Sequence, residues 1–466
     1  MFDDEEREDF EGDLNEDIKR FDAFLKGEPI GFMDSCRWEV LVDHLLISGN
    51  YSKALKASDE ALSQFSFNSI FKLRKAQAYS GLGKLKEAIQ LLSQIERLGM
   101  PSFELLLTKA SVFSQLKDSK NAIRYFTAAL DAASKEERDE IYLDLAVEYE
   151  NSGNYKAALK VLKEAVQSNP NNESAIYEIA FCYDHLGEFQ NSIKCYSDFI
   201  NENPYSFTAW YNLGNAYSKL EDFDKAIWAY DYCILINDDF GPVYFNIANA
   251  FLAKEKFAAA IEHFHKCIEL DGDDPIALCY IGECHEQMDE LELAKMFYKR
   301  SLELAPLLPD AWLGLGIIED LEGRTREGIT LIRKASELDP ENAGIYHVLA
   351  GAYEKIEEID EANECYQLSL ALDPNDEECL TNYIASLVNE SLIIAFDYLN
   401  SFEEIEQNNN ILPILKVNLL WGLGKKTDAI HLFKECIENN KAKALDLFVI
   451  NPSLKNVPEL VLLADN

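Results

Sequence analysis

The sequence predicts an all-α protein, an α-solenoid of about twelve stacked helix-turn-helix repeats. Three observations predict it. A small residue recurs along nearly the whole chain, at Ala54, Ala88, Ala122, Ala158, Ser192, Ala226, Ala260, Ala294, Gly328, Ala362, Ala395 and Ala429. Successive members are 34 residues apart, except for one gap of 36 and one of 33. A second small residue stands twelve positions earlier through most of the series, at Ala76, Ala110, Ala146, Ala180, Gly214, Ala248, Gly282, Gly316 and Ala350. Glycine and proline punctuate the period at fixed places. A pattern held in phase over this length is an array of one unit, each copy stacking on its neighbours.

Each repeat is numbered 1 to 34 so that the small pair falls at positions 8 and 20. Large residues at positions 4, 7 and 11, such as Ile176, Ile179 and Tyr183 or Tyr346, Leu349 and Tyr353, form one stripe of a first helix. Positions 20, 24 and 27, such as Ala362, Tyr366 and Ser369, do the same for a second. Between them glycine is frequent, at Gly49, Gly83, Gly153, Gly187, Gly323 and Gly424, and it accepts the left-handed conformation that ends a helix. Proline at position 32, as in Pro170, Pro204, Pro306, Pro340 and Pro374, stops the second helix. Two small residues per repeat let the two helices approach closely.

Three segments follow from this register. Residues 1–34 form an acidic N-terminal segment and capping helix. Residues 1–17 carry ten carboxylates and one arginine, a charge run expected to be disordered. Leu14, Ile18, Phe21 and Leu25 then predict a helix over 13–27 that docks on the first repeat, broken at Gly27 to Pro29. Residues 35–443 are the array, one continuous domain. Two extra residues within Ser134-Lys135-Glu136-Glu137-Arg138 should change the local twist. The repeat from Glu377 loses one residue in its turn and carries Ile384 at position 8, which predicts a weak joint there. Pro413 should shorten or shift the first helix of the next repeat. Residues 444–466 read as C-terminal capping helices, one over Leu445 to Ile450, ended by Asn451-Pro452, and one from Pro458.

The string Ala209-Trp210-Tyr211-Asn212-Leu213-Gly214-Asn215-Ala216-Tyr217, followed by Ala226 and Tyr230, resembles the tetratricopeptide repeat signature of tryptophan, leucine, glycine and tyrosine at this spacing. The resemblance covers roughly residues 35–443. It implies a right-handed superhelix whose first helices line a concave groove, and a non-catalytic scaffold that holds a peptide or protein segment there. By the same resemblance, positions 2, 5, 6, 9, 12 and 13 of each first helix face the groove. Across the first eleven repeats these positions hold fourteen acids, Glu39, Asp43, Glu104, Glu140, Asp144, Glu150, Glu178, Asp184, Glu283, Glu286, Asp310, Asp320, Glu354 and Glu378, against three bases, Arg74, Lys219 and Lys355. The groove is thus more acidic than the chain, which has 83 acidic and 43 basic residues. That excess favours a partner segment with basic or aromatic anchors.

Within the repeats starting at 173, 207 and 241, Tyr177, Phe181, Tyr211 and Phe245 stand beside Asn212, Asn215, Asn246 and Asn249. An asparagine amide can pair with both the donor and the acceptor of an extended backbone, and aromatics beside it make a peptide seat. With Glu283, these residues are the expected binding set. A subclass of the family grips the carboxylate of chaperone tails with lysine and arginine beside two asparagines. Asn215 and Asn246 match those asparagines, but Tyr211, Ile276 and Tyr280 stand where the cations would be, so acidic tails are disfavoured. Self-assembly through the apolar end from Leu445 to Leu463, or a regulatory place in a larger complex, are the alternatives.

A formal charge of −40 argues against nucleic acid as a partner. No apolar run reaches the roughly 18 residues that span a bilayer, so no membrane insertion is expected. Ten cysteines without a CxxC pair, several at small-residue positions such as Cys233, Cys267 and Cys436, read as core residues of a reducing compartment. The first residues lack a signal-peptide pattern, and the cytoplasm is the expected location. No phosphate loop, GxSxG, HExxH or paired-cysteine zinc motif occurs, so neither enzyme nor cofactor is expected. The one cluster resembling a metal site, His263, Cys267, Cys284 and His285, matches no standard zinc spacing and is read as packing. His265 is read as solvated.

Overall fold

A computed structural model describes residues 4–99, 102–135, 137–405 and 409–465. The described residues form helices and short connections. Twelve helical hairpins follow one another from Ser35–Ile47 with Tyr51–Gln64 to Leu412–Gly422 with Lys426–Ala444. First helices begin at Ser35, Ser69, Phe103, Glu173, Phe207, Gly241, Pro275, Pro309, Ala343 and Glu377, each at position 1 of its repeat. The residue before several of them is a side-chain cap: Asp34, Ser102, Asn172, Ser206, Asp274 and Asp376 each accept a hydrogen bond from a backbone amide of the first turn. Such a cap contributes about 1 kcal/mol by satisfying an otherwise orphan donor.

The small pair works as its spacing predicts. A Cβ on Gly214 would lie 2.3 Å from the Tyr230 ring, and one on Gly316 would lie 2.9 Å from the Gly328 carbonyl oxygen. Position 8 is small because position 20 or the aromatic at 24 occupies its space. The turns are less dependent on glycine than the sequence suggests. Lys117, Glu221, Glu255, Asp289 and Glu357 hold φ between 55° and 63° at turns where other repeats place glycine. The stacking of the two helices imposes the left-handed residue, and an unfavourable side chain is tolerated there.

The chain divides into two compact units, Met1–Asp238 and Asp239–Asn466, where the sequence predicts one continuous domain. An array has only neighbour contacts, so a division at any joint severs few of them. In the first unit, the N-terminal helix runs over Asp4–Phe24. It starts within the run expected to be disordered and ends before Gly27, whose φ is +102°. Residues 1–3 lie outside the described residues. Its C-terminal half is anchored: Phe21 is buried and meets Trp38 edge to face at 6.1 Å. Asp17, also buried, pairs with Arg37 at 2.6 Å, and Asp22 with Lys53 at 2.7 Å. The Asp17 pair turns the end of the acidic run into a docking contact.

The irregular joints fall where the register breaks. The connection with two extra residues runs from the Ser119–Ala132 helix to the Arg138–Asn151 helix; Glu136 within it lies outside the described residues. Ile384 is only 2% exposed and packs in the core of the second unit. The shortened turn passes through Ser391 in extended conformation. Its helix pair, Glu377–Glu390 with Leu392–Ile405, packs sparsely, as does the hairpin of Glu173–Leu186 and Phe189–Glu202 in the first unit, which borders a cavity of about 610 Å³ lined by Leu159, Ile176, Ile179, Tyr183 and Phe199. At the C-terminal end, the helix behind Pro413 is shortened to Leu412–Gly422, and a kink at Asn440 precedes Leu447–Ile450 and Pro458–Asp465. Buried Leu447, Leu454 and Leu460 close the last hairpin.

Candidate functional site

Within each unit the first helices are joined side by side by polar contacts. In the first unit Arg74 bridges Asp43 on the preceding first helix and Glu104 on the following one, while Gln77 donates to Thr108 at 3.2 Å. In the second unit Lys355 pairs with Asp320 at 2.5 Å, and Asn382 and His347 lie 3.0 Å apart. These contacts come from positions 2, 5, 6, 9, 12 and 13, and the face that these positions form on successive first helices is the wall of each unit.

The charge on the wall of the first unit changes along its length. Arg74, with its side chain only 15% exposed, neutralises two of the first acids. Farther along stand Glu140, Asp144, Glu150, Glu178 and Asp184, and among the described residues none of these makes an ion pair. Burial pushes the Asp144 carboxyl up, and the charges of Glu140 and Glu148 add to this. Glu150 is also raised by burial, opposed by the Cys182 thiol that donates to it at 3.3 Å and reinforced by Glu178. Burial raises Asp184 against the pull of Lys219 and His185. In the second unit burial and Asp310 raise Glu283. Glu286 is raised by burial and Glu283 although the Tyr298 hydroxyl donates to it at 2.8 Å, and Asp310 by burial and Asp339. A carboxylate whose ionised form is disfavoured by burial and like charges gains most from an added cation.

The expected binding residues divide between the two units. In the first, Tyr177 and Phe181 are 42% and 44% exposed on the Glu173–Leu186 helix, with Phe181 also packed on His185 at 4.4 Å. Tyr211 is half-buried on the Phe207–Lys219 helix and meets Tyr230 at 6.1 Å. Two asparagines are more internal than their spacing implies. Asn212 is 4% exposed, and its Nδ2 is buried without a hydrogen-bond partner. The Asn215 carbonyl accepts from the Tyr230 hydroxyl at 2.8 Å, which serves hairpin packing. In the second unit Phe245, Asn246 and Asn249 lie half-buried on the Gly241–Ala253 helix, and Phe245 packs on Phe264 and Tyr280 at 5.5 and 6.0 Å. Glu283 is half-buried on the Pro275–Gln287 helix.

The histidines and cysteines weighed for metal each have packing partners. His263 stacks on Phe251 at 5.4 Å, His285 stacks on Phe297 at 5.4 Å and contacts Glu290 at 2.6 Å, and Cys267 and Cys284 are buried. His265 is exposed against Phe297 at 5.8 Å. A different group, not evident in the sequence, brings one ligand-type atom each of His347, Asp376 and Cys379 within 4.8 Å of one another. Each has a local role: Asp376 caps the Glu377–Glu390 helix, His347 pairs with Asn382, and the Cys379 thiol contacts Ser369 at 3.3 Å. Their separation in sequence hid them. Glu148 was also missed, though aligning the repeats on one another marks it, and Arg74 was placed on the groove without its two acidic partners. Position 10 holds Ala78, Val112, Cys182, Ala216, Ala250, Cys284, Ile318, Ala352 and Ser386 in the other repeats from the second to the eleventh.

Models of the tetratricopeptide repeat match residues 40–102, 107–173, 242–274, 277–306 and 343–376, and a model described as anaphase-promoting complex, cyclosome, subunit 3 matches 151–233. The chain belongs to the tetratricopeptide repeat family, whose members are protein-interaction scaffolds. It is similar to anaphase-promoting complex subunit 3 of Schizosaccharomyces pombe, 25% identical over 180 residues, which are 34% of this chain and 26% of the relative. The match thus spans about a quarter of that relative's length. Among solved structures, it is similar to yeast Tom70, with 16% identity, a TM-score of 0.47 and coverage of 91% of this chain and 97% of the other. The structure of the APC/C hetero-tetramer Cut9-Hcn1 gives 15% identity, a TM-score of 0.44 and coverage of 82% and 89%.

Proposed function

We propose that this chain is a non-catalytic scaffold that holds a basic or aromatic-bearing segment of another protein along its first-helix wall, as a subunit of a larger assembly. One observation carries the reading. The wall's acids are neutralised internally where Arg74 stands, and from Glu140 to Asp184 they make no ion pair among the described residues. Exposed Tyr177 and Phe181 beside them offer apolar contact to the same segment. Similarity to a subunit of the anaphase-promoting complex supports a place in an assembly. Buried cysteines at small-residue positions support a reducing compartment, in our reading the cytoplasm. The charge balance supports a protein partner in preference to nucleic acid.

The test is affinity capture from the source cell with the full chain, beside a variant carrying Tyr177→Ala, Phe181→Ala and Tyr211→Ala. A partner retained by the wild type and lost by the variant is expected; identical capture by both removes this wall from consideration. A second reading, self-association, has its own observation: Leu445, Val449 and Leu462 are 39%, 75% and 63% exposed near the C-terminal end. Light scattering at micromolar concentration that shows only a monomer excludes it.

A further inference from the structure

Glu148 is the anomaly of the first unit. At position 10 of its repeat, where the neighbouring repeats place valine and cysteine, it is 2% exposed, and its Oε2 is buried without a hydrogen-bond partner. A buried, unpaired carboxylate is costly, and folding alone gains nothing from it. It lies one helical turn beyond Asp144 and two beyond Glu140 on the Arg138–Asn151 helix. A helical side chain leans toward the preceding turn, so Glu148 is directed back toward Asp144, whose carboxyl registers the charges of both neighbours. The same unit contains the counterpart that such acids fit. Two repeats earlier, the Arg74 guanidinium sits among the first helices and bonds Asp43 and Glu104.

We infer that Glu148, with Asp144 and Glu140, is a clamp for one cationic side chain of the bound segment, an arginine by preference, seated as Arg74 is seated within the chain. The inference rests on the scaffold reading above and specifies where and with what the partner is held. A guanidinium carries enough planar donors to bond two carboxylates at once, and Arg74 does so here. An ammonium presents a compact charge and fits the pattern less fully. Burial of Glu148 makes it the selective member, because an acid already stripped of water pays little further desolvation when a cation arrives.

The test uses the full chain and three short fluorescein-labelled peptides, identical except for arginine, lysine or glutamine at alternate positions. Binding is read by anisotropy at low and physiological salt. The wild type should bind the arginine peptide most tightly and the glutamine peptide least. Glu148→Gln should weaken the arginine peptide roughly tenfold, the scale of one charge-assisted bond, while raising Tm because a buried charge is removed. Asp144→Asn, at an exposed position that cannot unfold the helix, should weaken it as well, and Glu262→Gln, off the wall, should not. Wild-type binding unchanged by Glu148→Gln and Asp144→Asn, but lost on Tyr177→Ala with Phe181→Ala, would overturn the clamp and keep the scaffold reading. Equal binding of the arginine and glutamine peptides by the wild type would overturn both.

Discussion

The first-helix wall over residues 35–116 and that over residues 138–186 share one backbone pattern and both carry acids, yet they differ in electrostatic state. In the earlier stretch Arg74 lies between Asp43 and Glu104 and closes the rung. In the later one Glu140, Asp144, Glu148, Glu150 and Glu178 have no ion pair among the described residues, and Asp144 and Glu150 are pushed up by burial. The difference teaches that the repeat sets the architecture and a single side chain decides whether a rung is self-satisfied or open to a partner.

The largest effects should come from the packing on which both stretches depend. Gly214→Ala places a methyl 2.3 Å from the Tyr230 ring and should cost about 1–3 kcal/mol through overpacking, measured by urea unfolding. A wild-type midpoint in this variant would mean that the hairpin separates without penalty. Arg74→Met tests the comparison itself. It should cost about 1 kcal/mol, the scale of a partly exposed ion-pair network, and should convert the closed rung into an open one that binds the arginine peptide in addition to the site at Glu148. Unchanged stoichiometry by titration calorimetry would break the analogy between the two stretches.

Acidity should separate stability from binding. Asp144, Glu150, Asp184, Glu283, Glu286 and Asp310 have folded-state pKa values raised above their unfolded ones. In the window between the raised values and the ordinary carboxylate range near about 4, the folded state binds more protons, so stability rises as pH falls. Below that window the gain is complete, and acids held low by ion pairs, such as Glu319 beside Arg324 and Lys295, then lose their contribution. Affinity for a basic segment should change in the opposite sense and fall as these carboxyls protonate. Stability and affinity that fall together over the upper window would contradict the account. The smallest effect is expected at Gly351, a mid-helix glycine with no atom within 4 Å of a would-be Cβ. Gly351→Ala should stabilise the second unit by up to about 1 kcal/mol, seen as a small rise in its thermal transition.

Much of the fold was legible because its cause is periodic. Small residues at 8 and 20 and stripes at 4, 7 and 11 placed the hairpins, and the helices begin where the register puts them. The joints were less legible. Ile384 at position 8 marks a sparsely packed helix pair, but nothing in the register marks the still sparser pair of Glu173–Leu186 and Phe189–Glu202. The candidate site was legible as a set of faces. Tyr177 and Phe181 are exposed as expected, whereas Asn212 is buried and Asn215 serves Tyr230, because position numbers specify an angle around a helix and leave depth to the neighbouring repeat. The pairing of Arg74 with acids about 30 residues away on either side is a lateral contact between repeats, outside the reach of any single-helix pattern.

The central claim is that an acidic rung left open by the chain itself receives a cationic segment. The most direct measurement is photo-crosslinking of an arginine-bearing peptide to the full chain, with the attachment sites read by mass spectrometry. The account predicts attachment concentrated on the Arg138–Asn151 and Glu173–Leu186 helices and suppressed by salt, with little on the Ser69–Gly81 helix that carries Arg74. Attachment spread evenly over the acidic surface, or centred on Ser69–Gly81, would contradict it.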